Sequence, residues 1–88
     1  MKNADLNIDA ATLIDVRTAE EFAEDNIENS INIPLDDVFR EVEHFKKLKK
    51  PIILFCHSGS RSQMAVDYLK SQGVENVFNG GALSDLKK

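Results

Sequence analysis

An apolar strand that runs directly into a small polar loop constrains this chain more than any other feature. Residues 52–55 are apolar, follow Pro51 and include two isoleucines, and Cys56 closes the run. Residues 57–60 are small or polar, and helix-forming residues come directly after them. An uninterrupted apolar strand of this kind is typical of a parallel sheet with both faces covered.

The rest of the chain alternates between strand-like and helix-like segments. Strands are predicted at 12–16, 30–33, 52–56 and 74–78, and helices at about 18–26, 36–50 and 60–72, with a short turn or helix around Leu83 and Leu86. This alternation predicts an α/β domain with a largely parallel central sheet of about four to five strands flanked by helices. We expect one domain, residues 1–88, in which residues 1–11 form a polar, loose N-terminal segment.

Local signals predict where the helices begin and end. Thr18 and Glu21 match a capping box, and Asp36 or Asp37 is predicted to cap the second helix. Gly73 is predicted as the residue that ends the third. The helical side chains predicted to face the core are Phe22, Ala23, Val38, Val42, Phe45, Met64, Ala65, Tyr68 and Leu69. The lysines at 46, 47, 49 and 50 are interpreted as complementing a helix C-terminus, with a docking patch for an acidic partner as the alternative.

Composition narrows the classes of partner and compartment. A net charge of −4 argues against nucleic acid or an anionic membrane as the main partner. The longest apolar run is far shorter than the roughly 20 residues of a membrane helix, and the N-terminus lacks the apolar segment of a signal peptide. One cysteine cannot form an internal disulfide, and His44 and His57 have no cysteine pair with which to bind a metal. We therefore expect a soluble, cytoplasmic protein with no metal and no cofactor.

The loop after the central strand has the features of an anion site around a reactive thiol. Small residues let successive N–H groups point inward, and a helix N-terminus behind them adds partial positive charge. Such surroundings lower the pKa of a thiol and favour the thiolate. An inert buried cysteine, the alternative, has no need of such a loop. Cys56 is therefore the candidate catalytic nucleophile, and the candidate substrate-binding residues are His57, Ser58, Gly59, Ser60, Arg61 and Ser62.

These residues are expected to act in different ways. Gly59 can adopt positive φ, Arg61 adds a permanent positive charge, and the serines add hydroxyl donors. His57 is either a general base or anion contact, or an exposed loop residue. Asp15 and Arg17 follow another strand and should meet the loop at the same edge of the sheet. They are predicted as supporting residues: Asp15 orients a loop, since a carboxylate beside the sulfur would oppose ionisation, and Arg17 pairs with a carboxylate or contacts substrate.

From Leu13 to Gly81 the chain resembles a small single-domain rhodanese, of the thiosulfate sulfurtransferase family. The segments that carry the resemblance are 13–17 with 20–22, 27 with 30–34, 52–62, and 68–73 with 77–81. The aromatic residue that this family commonly has after its Gly-Gly turn is missing, so Leu83 or Leu86 is expected to cover that part of the core. Asp25-Asn26 and Asn29-Ser30 replace the family's Gly-His and Gly-Ala, which should alter turn geometry and not chemistry.

The resemblance implies a sulfurtransferase that works through a covalent intermediate. The Cys56 thiolate would take the sulfane sulfur of thiosulfate or a persulfide donor, and hold it as a persulfide among the loop amides. A thiol or cyanide would then accept the sulfur in a ping-pong cycle. The implied partners are a small-molecule sulfur donor and this acceptor, with a protein sulfur acceptor as a further option.

Other functions of the same fold remain alternatives. Phosphatases and arsenate reductases of this fold place arginine after five residues that follow the cysteine, whereas Arg61 follows Cys56 after four, and Ser62 holds the phosphatase arginine's place. A non-catalytic rhodanese-like binding module often lacks the cysteine that is present here. A persulfide carrier would share the chemistry of Cys56 but turn over thiosulfate slowly.

Overall fold

A computed structural model describes residues 10–86, and within that range four strands alternate with five helices. The strands are β1 (Thr12–Asp15), β2 (Ile31–Asn32), β3 (Ile52–Cys56) and β4 (Val77–Ala82). The helices are α1 (Ala19–Glu24), α2 (Leu35–Val38), α3 (Val42–Lys47), α4 (Ser60–Ser71) and α5 (Leu83–Leu86). All neighbouring strands pair in parallel in the order β2-β1-β3-β4, which confirms the predicted α/β fold. Residues 1–9 of the predicted loose segment lie outside the described residues.

Apolar side chains cover both faces of the sheet, because successive residues of a strand point to opposite sides. All five residues of β3 are buried. Ile52 and Leu54 pack with the buried side chains of α2, α3 and α4 on one face. Ile53 and Phe55 pack with α5 on the other face, where Leu83 and Leu86 are 8% and 5% exposed. The two leucines thus cover the core as predicted.

The predicted helix ends are confirmed at three places. Thr18 and Glu21 form a reciprocal capping box at the start of α1. Gly73 adopts φ +90° directly after the C-cap of α4, a conformation that glycine reaches without a steric penalty. The ammonium group of Lys50 donates to the carbonyls of Phe45, Lys46 and Leu48 at the end of α3, as expected of a cation at a helix C-terminus.

The predicted second helix is two short helices. α2 ends at Val38 and α3 begins at Val42. Between them, the N–H groups of Arg40 and Glu41 donate to carbonyls three residues earlier, which tightens the chain and interrupts the helix. The prediction that Asp36 or Asp37 caps this segment is wrong, because both lie inside α2 and its N-cap is Pro34, without a side-chain cap.

The last strand begins three residues later than predicted. The N–H of Val74 donates to the carbonyl of Leu69, so Val74 belongs to the turn that ends α4. β4 runs instead through Asn79, Gly80 and Gly81, the residues predicted to close it. Its pairing with β3 shifts at this point: Leu54 lies opposite Asn79, and the next residue, Phe55, lies opposite Gly81. This β-bulge adds one residue to β4 relative to β3, so the residues of β4 that follow it are shifted by one in their pairing.

Two side chains predicted to face the core do not. Met64 is 54% exposed, and Ala23 is also exposed. The buried stripe of α4 consists of Ser62, Ala65, Val66 and Leu69, so the apolar face is rotated relative to the predicted one.

Within residues 10–86, the helices are too short and too polar to cross a membrane.

Candidate active site

Cys56 lies at the C-terminal end of β3, where the strand turns into the loop before α4. Its side chain is part of the core face that packs against α4, and the residue is 1% exposed. The N–H of Gly59 donates to Cys56 Sγ at 3.0 Å, and the hydroxyl of Ser62 lies 3.6 Å from the same sulfur. The sulfur is therefore buried but surrounded by hydrogen-bond donors.

The backbone of Gly59 allows this arrangement. Gly59 is the N-cap of α4 and has φ +96°, a conformation that side chains other than glycine rarely adopt. In this conformation its N–H turns back towards the sulfur while its carbonyl accepts the N–H of Gln63 within the first turn of α4. The sequence prediction of positive φ at Gly59 is confirmed.

The surroundings of Cys56 favour the thiolate over the thiol. Burial raises the pKa of the Cys56 thiol, because a charged sulfur is less stable away from water. Hydrogen bonds lower the pKa, and their combined effect is larger than that of burial. They come from the Ser62 hydroxyl and from the N–H groups of Ser62, Gly59 and Ser58. The net pKa lies below the ordinary value of a cysteine, so this loop stabilises an anionic sulfur.

Asp15 and Arg17 form a buried ion pair at the end of β1. Arg17 donates from Nε and Nη2 to the Asp15 carboxylate at 2.8–3.1 Å, and its own N–H donates to Asp15 Oδ1 at 3.0 Å. Arg17 Nη2 also donates to the carbonyl of Asp25 at 2.6 Å. The pair therefore connects the end of the sheet to the end of α1, and its supporting role in the site stays a prediction.

Arg61 is held by a carboxylate on another helix. Its two terminal nitrogens donate to the two oxygens of Glu21 at 2.8 and 3.1 Å. Glu21 also accepts the N–H of Thr18, so one side chain completes the cap of α1 and binds the first turn of α4. The sequence did not predict this partner. Both terminal nitrogens of Arg61 are thus bound to Glu21, and the predicted role of Arg61 in substrate binding stays a prediction.

The ion pair gives Glu21 a pH-dependent effect on stability. Hydrogen bonds from Arg61, and next from the Thr18 N–H, lower the pKa of Glu21 to about 2. Because the pKa of Glu21 is lower in the folded protein than in the unfolded chain, its charge stabilises the fold at pH values above the unfolded pKa. This stabilisation is lost as the pH falls towards 2. The Glu21→Gln variant should therefore be less stable at pH 7 by about 1 kcal/mol, a figure reduced for the solvent screening of a partly exposed pair.

Urea unfolding of wild type and Glu21→Gln at several pH values checks this prediction. Glutamine keeps one oxygen to accept from Thr18 and Arg61 but loses the second acceptor of Arg61, so the change of the difference with pH, and not its size at one pH, reports on the charge. The difference between the two proteins should shrink between pH 4.5 and pH 2. A difference that is as large at pH 2 as at pH 7 would show that the charge of Glu21 is not responsible.

The side chains of the remaining predicted loop residues make no hydrogen bond to the sulfur among the described contacts. His57, Ser58 and Ser60 are exposed, and the hydroxyls of the two serines bond to each other at 3.1 Å. His57 lines an open cavity of ≈ 280 Å³ next to the loop. The other lining residues are Arg17, Asp25, Leu83 and Ser84. His57 therefore faces a space that a small molecule could enter, beside Cys56 in the chain.

Asn79 belongs to the site but was not among the candidates from the sequence. Its Oδ1 accepts the hydroxyl of Ser62 at 2.7 Å, and its Nδ2 donates to the carbonyl of Gly59 at 3.1 Å. The signal in the sequence is weak: a polar amide follows the apolar pair Val77-Phe78, near the C-terminal edge where sites of parallel sheets lie.

Comparisons with known proteins agree with this geometry. The chain is 31% identical over 74 residues to thiosulfate sulfurtransferase PspE of Escherichia coli (strain K12), covering 83% of this chain and 71% of that protein. It is 34% identical over 71 residues to YrkF of Bacillus subtilis (strain 168), covering 81% of this chain but only 38% of that protein. A solved structure of a rhodanese with anions from E. coli has a TM-score of 0.78 at 29% identity, covering 88% of this chain and 92% of that chain.

A family model extends the similarity over most of the sequence. The model of the rhodanese-like domain matches residues 2–81, which include β1 to β3, all of β4 except its last residue, and the whole Cys56 loop. The fold, the order of its elements and the relatives all agree with this match. The chain belongs to the rhodanese-like domain family.

Proposed function

We propose that this protein is a sulfurtransferase that carries a sulfane sulfur on Cys56 as a persulfide. The observation that supports this most directly is the position of Cys56 Sγ, which accepts the N–H of Gly59 at 3.0 Å and lies at the start of α4. Donors fixed around a sulfur stabilise negative charge there without having to reorganise. The lowered pKa of the thiol agrees with a nucleophile that acts as a thiolate.

In the first half of the cycle, the Cys56 thiolate attacks the outer sulfur of thiosulfate or of a persulfide donor. A new S–S bond forms to Cys56, the S–S bond of the donor breaks, and its electron pair leaves with sulfite or with the donor thiolate. In the second half, a thiol or cyanide attacks the outer sulfur of the persulfide. The S–S bond to Cys56 breaks, and the electron pair returns to Cys56 as a thiolate, held again by the loop.

The relatives support the reaction class. PspE is named a thiosulfate sulfurtransferase, and the chain covers 71% of it. The donor that we propose is thiosulfate, and the acceptor is a thiol or cyanide. A protein is the alternative acceptor.

Intact-protein mass spectrometry tests the proposal. Incubation with thiosulfate should add the mass of one sulfur atom, and subsequent cyanide should remove it. Protein alkylated beforehand is the matched control, because Cys56 is the only cysteine and alkylation blocks the only thiol. Thiosulfate and persulfide donors that both leave the mass unchanged, while the thiol still reacts with the alkylating reagent, would overturn the proposal. Phosphate esters and arsenate would then be the substrates to test.

A further inference from the structure

We propose that Asn79 is a positioning residue for Cys56: its side-chain amide holds the Gly59 carbonyl and so fixes the backbone conformation of Gly59 in which its N–H points at Cys56 Sγ. Asn79 lies on β4, 20 residues from Gly59 and 23 from Cys56 in the sequence. The inference deepens the proposed function and rests on it for its role in sulfur transfer. The geometry itself is independent of which substrate the sulfur attacks.

The amide of Asn79 uses all of its hydrogen-bonding capacity. Nδ2 donates to the Gly59 carbonyl at 3.1 Å and to Gln63 Oε1 at 2.9 Å. Oδ1 accepts the Ser62 hydroxyl at 2.7 Å and the Gly81 N–H at 2.9 Å. Two donors and two acceptors are thus each satisfied, which fixes both the position and the orientation of the amide. A side chain held at four points is a rigid support for the loop.

The β-bulge in β4 places this support against the loop. The pairing of β4 with β3 shifts between Asn79 and Gly81, and the Gly81 N–H turns to the Asn79 side chain. Gly81 then lies so close to Gly59 that a Cβ atom built on Gly59 would be 3.3 Å from Gly81 Cα. Bulges of this kind often occur beside functional sites, where they redirect a side chain. Here the bulge brings both a side chain and a backbone segment against Gly59.

Asn79 also positions the hydroxyl of Ser62. This hydroxyl has one proton and three acceptors within reach: Asn79 Oδ1 at 2.7 Å, the Gly59 carbonyl at 3.1 Å and Cys56 Sγ at 3.6 Å. When the sulfur is anionic, rotation of the hydroxyl is enough to turn its proton from Asn79 to the sulfur. Asn79 therefore disfavours the Cys56 thiolate through Ser62, whose proton it competes for, and favours the thiolate through Gly59. A test must separate these two effects on the thiolate.

The test compares Ser62→Ala with Ser62→Ala/Asn79→Ala. Neither protein has the Ser62 hydroxyl, so a difference between them cannot pass through it and reflects the contacts of Asn79 with the Gly59 carbonyl, Gln63 and Gly81. The fraction of thiolate is measured against pH by ultraviolet absorbance, which reports on Cys56 because the chain has no other cysteine. We expect about tenfold less thiolate in the double variant at pH values below both thiol pKa values, as for the loss of a hydrogen bond to a charged group.

The rate of loading by thiosulfate provides a second measurement. It should be about tenfold lower in the double variant at low pH, and the two proteins should become equal above both pKa values. Identical thiolate titrations, or a rate that is lower by the same factor at every pH, would overturn the proposal, because a merely structural role predicts either result. The titration requires no sulfur transfer, so its failure is distinct from a failure of the proposed function.

If the double variant does not fold, Asn79→Asp decides the question. Aspartate keeps the acceptor for Ser62 and Gly81 but cannot donate to the Gly59 carbonyl, so the thiolate fraction should again fall about tenfold or more. Gln63→Glu is the control for charge, because it adds a carboxylate to the same network and still accepts from Asn79, although it loses the exposed hydrogen bond from Gln63 to Asp67. Equal titrations of Asn79→Asp and Gln63→Glu would contradict the proposal.

None of these substitutions changes the ionisable side chains that surround the loop. They are Asp15, Arg17, Glu21, His57, Arg61, Asp67 and Asp85.

Discussion

Cys56→Ser is expected to lower sulfur transfer by about 10⁴-fold or more, to the level of the uncatalysed reaction. A serine hydroxyl is not ionised near neutral pH, and the donors of the loop cannot compensate for so weak a nucleophile. The fold should persist, because the serine oxygen can still accept the N–H of Gly59 in place of the sulfur. Steady-state turnover of thiosulfate with cyanide measures the loss, and thermal unfolding checks the fold.

Ser71→Ala is a suitable control for this variant. Ser71 is exposed at the far end of α4, where its hydroxyl donates to the carbonyl of Tyr68 and accepts from the exposed side-chain amide of Gln72. Turnover in Ser71→Ala should match wild type. Turnover that persists in folded Cys56→Ser would show that Cys56 is not the nucleophile.

Asp15→Ala is expected to destabilise the domain by about 3–5 kcal/mol, because it leaves the Arg17 guanidinium buried without its counter-charge. Asp15 and Arg17 are 0% and 5% exposed, and the carboxylate accepts both the side chain and the backbone N–H of Arg17. Small domains are stable by only about 5–15 kcal/mol in total, so a large share of Asp15→Ala should be unfolded or easily unfolded. Urea unfolding followed by circular dichroism measures the change.

Two further variants show whether burial of the unpaired charge is the cause. Asp37→Ala removes the carboxylate of an exposed pair with Arg40, and should cost at most about 1 kcal/mol. Asp15→Ala/Arg17→Met removes both buried charges, and should recover part of the stability lost in Asp15→Ala. A loss of less than about 1 kcal/mol in Asp15→Ala, or a double variant less stable than Asp15→Ala, would contradict this explanation.

The sequence predicts those parts of the site whose structure depends on residues that lie close together in the chain. The capping box of Thr18 and Glu21 spans four positions, and the pair of Asp15 and Arg17 spans three. The strand, glycine and helix around Cys56 likewise depend on neighbours in the chain. For these features the local preferences and the final fold agree, so the pattern of residue types is sufficient.

The parts that the sequence does not reveal depend on how distant elements pack. Arg61 reaches Glu21 across 40 residues, and Asn79 reaches Gly59 across 20, so neither contact has a local signal. The start of β4 follows from its pairing with β3, and β propensity alone placed it too early. The exposure of Met64 follows from the way α4 is rotated on the sheet, which its mixed sequence specifies weakly.

The burial of Cys56 has a consequence for disulfide formation with other proteins. With 1% of the residue exposed, the unloaded sulfur is accessible only to small reagents that can enter the loop. A mixed disulfide with another protein would need the partner's sulfur to come within about 2 Å of Sγ, and a buried sulfur hinders so large a partner. Peroxide is small enough to enter, so the loop does not shield the thiolate from oxidation to sulfinic or sulfonic acid. The closed loop would therefore let the unloaded protein persist between donors without being trapped as a mixed disulfide with another protein.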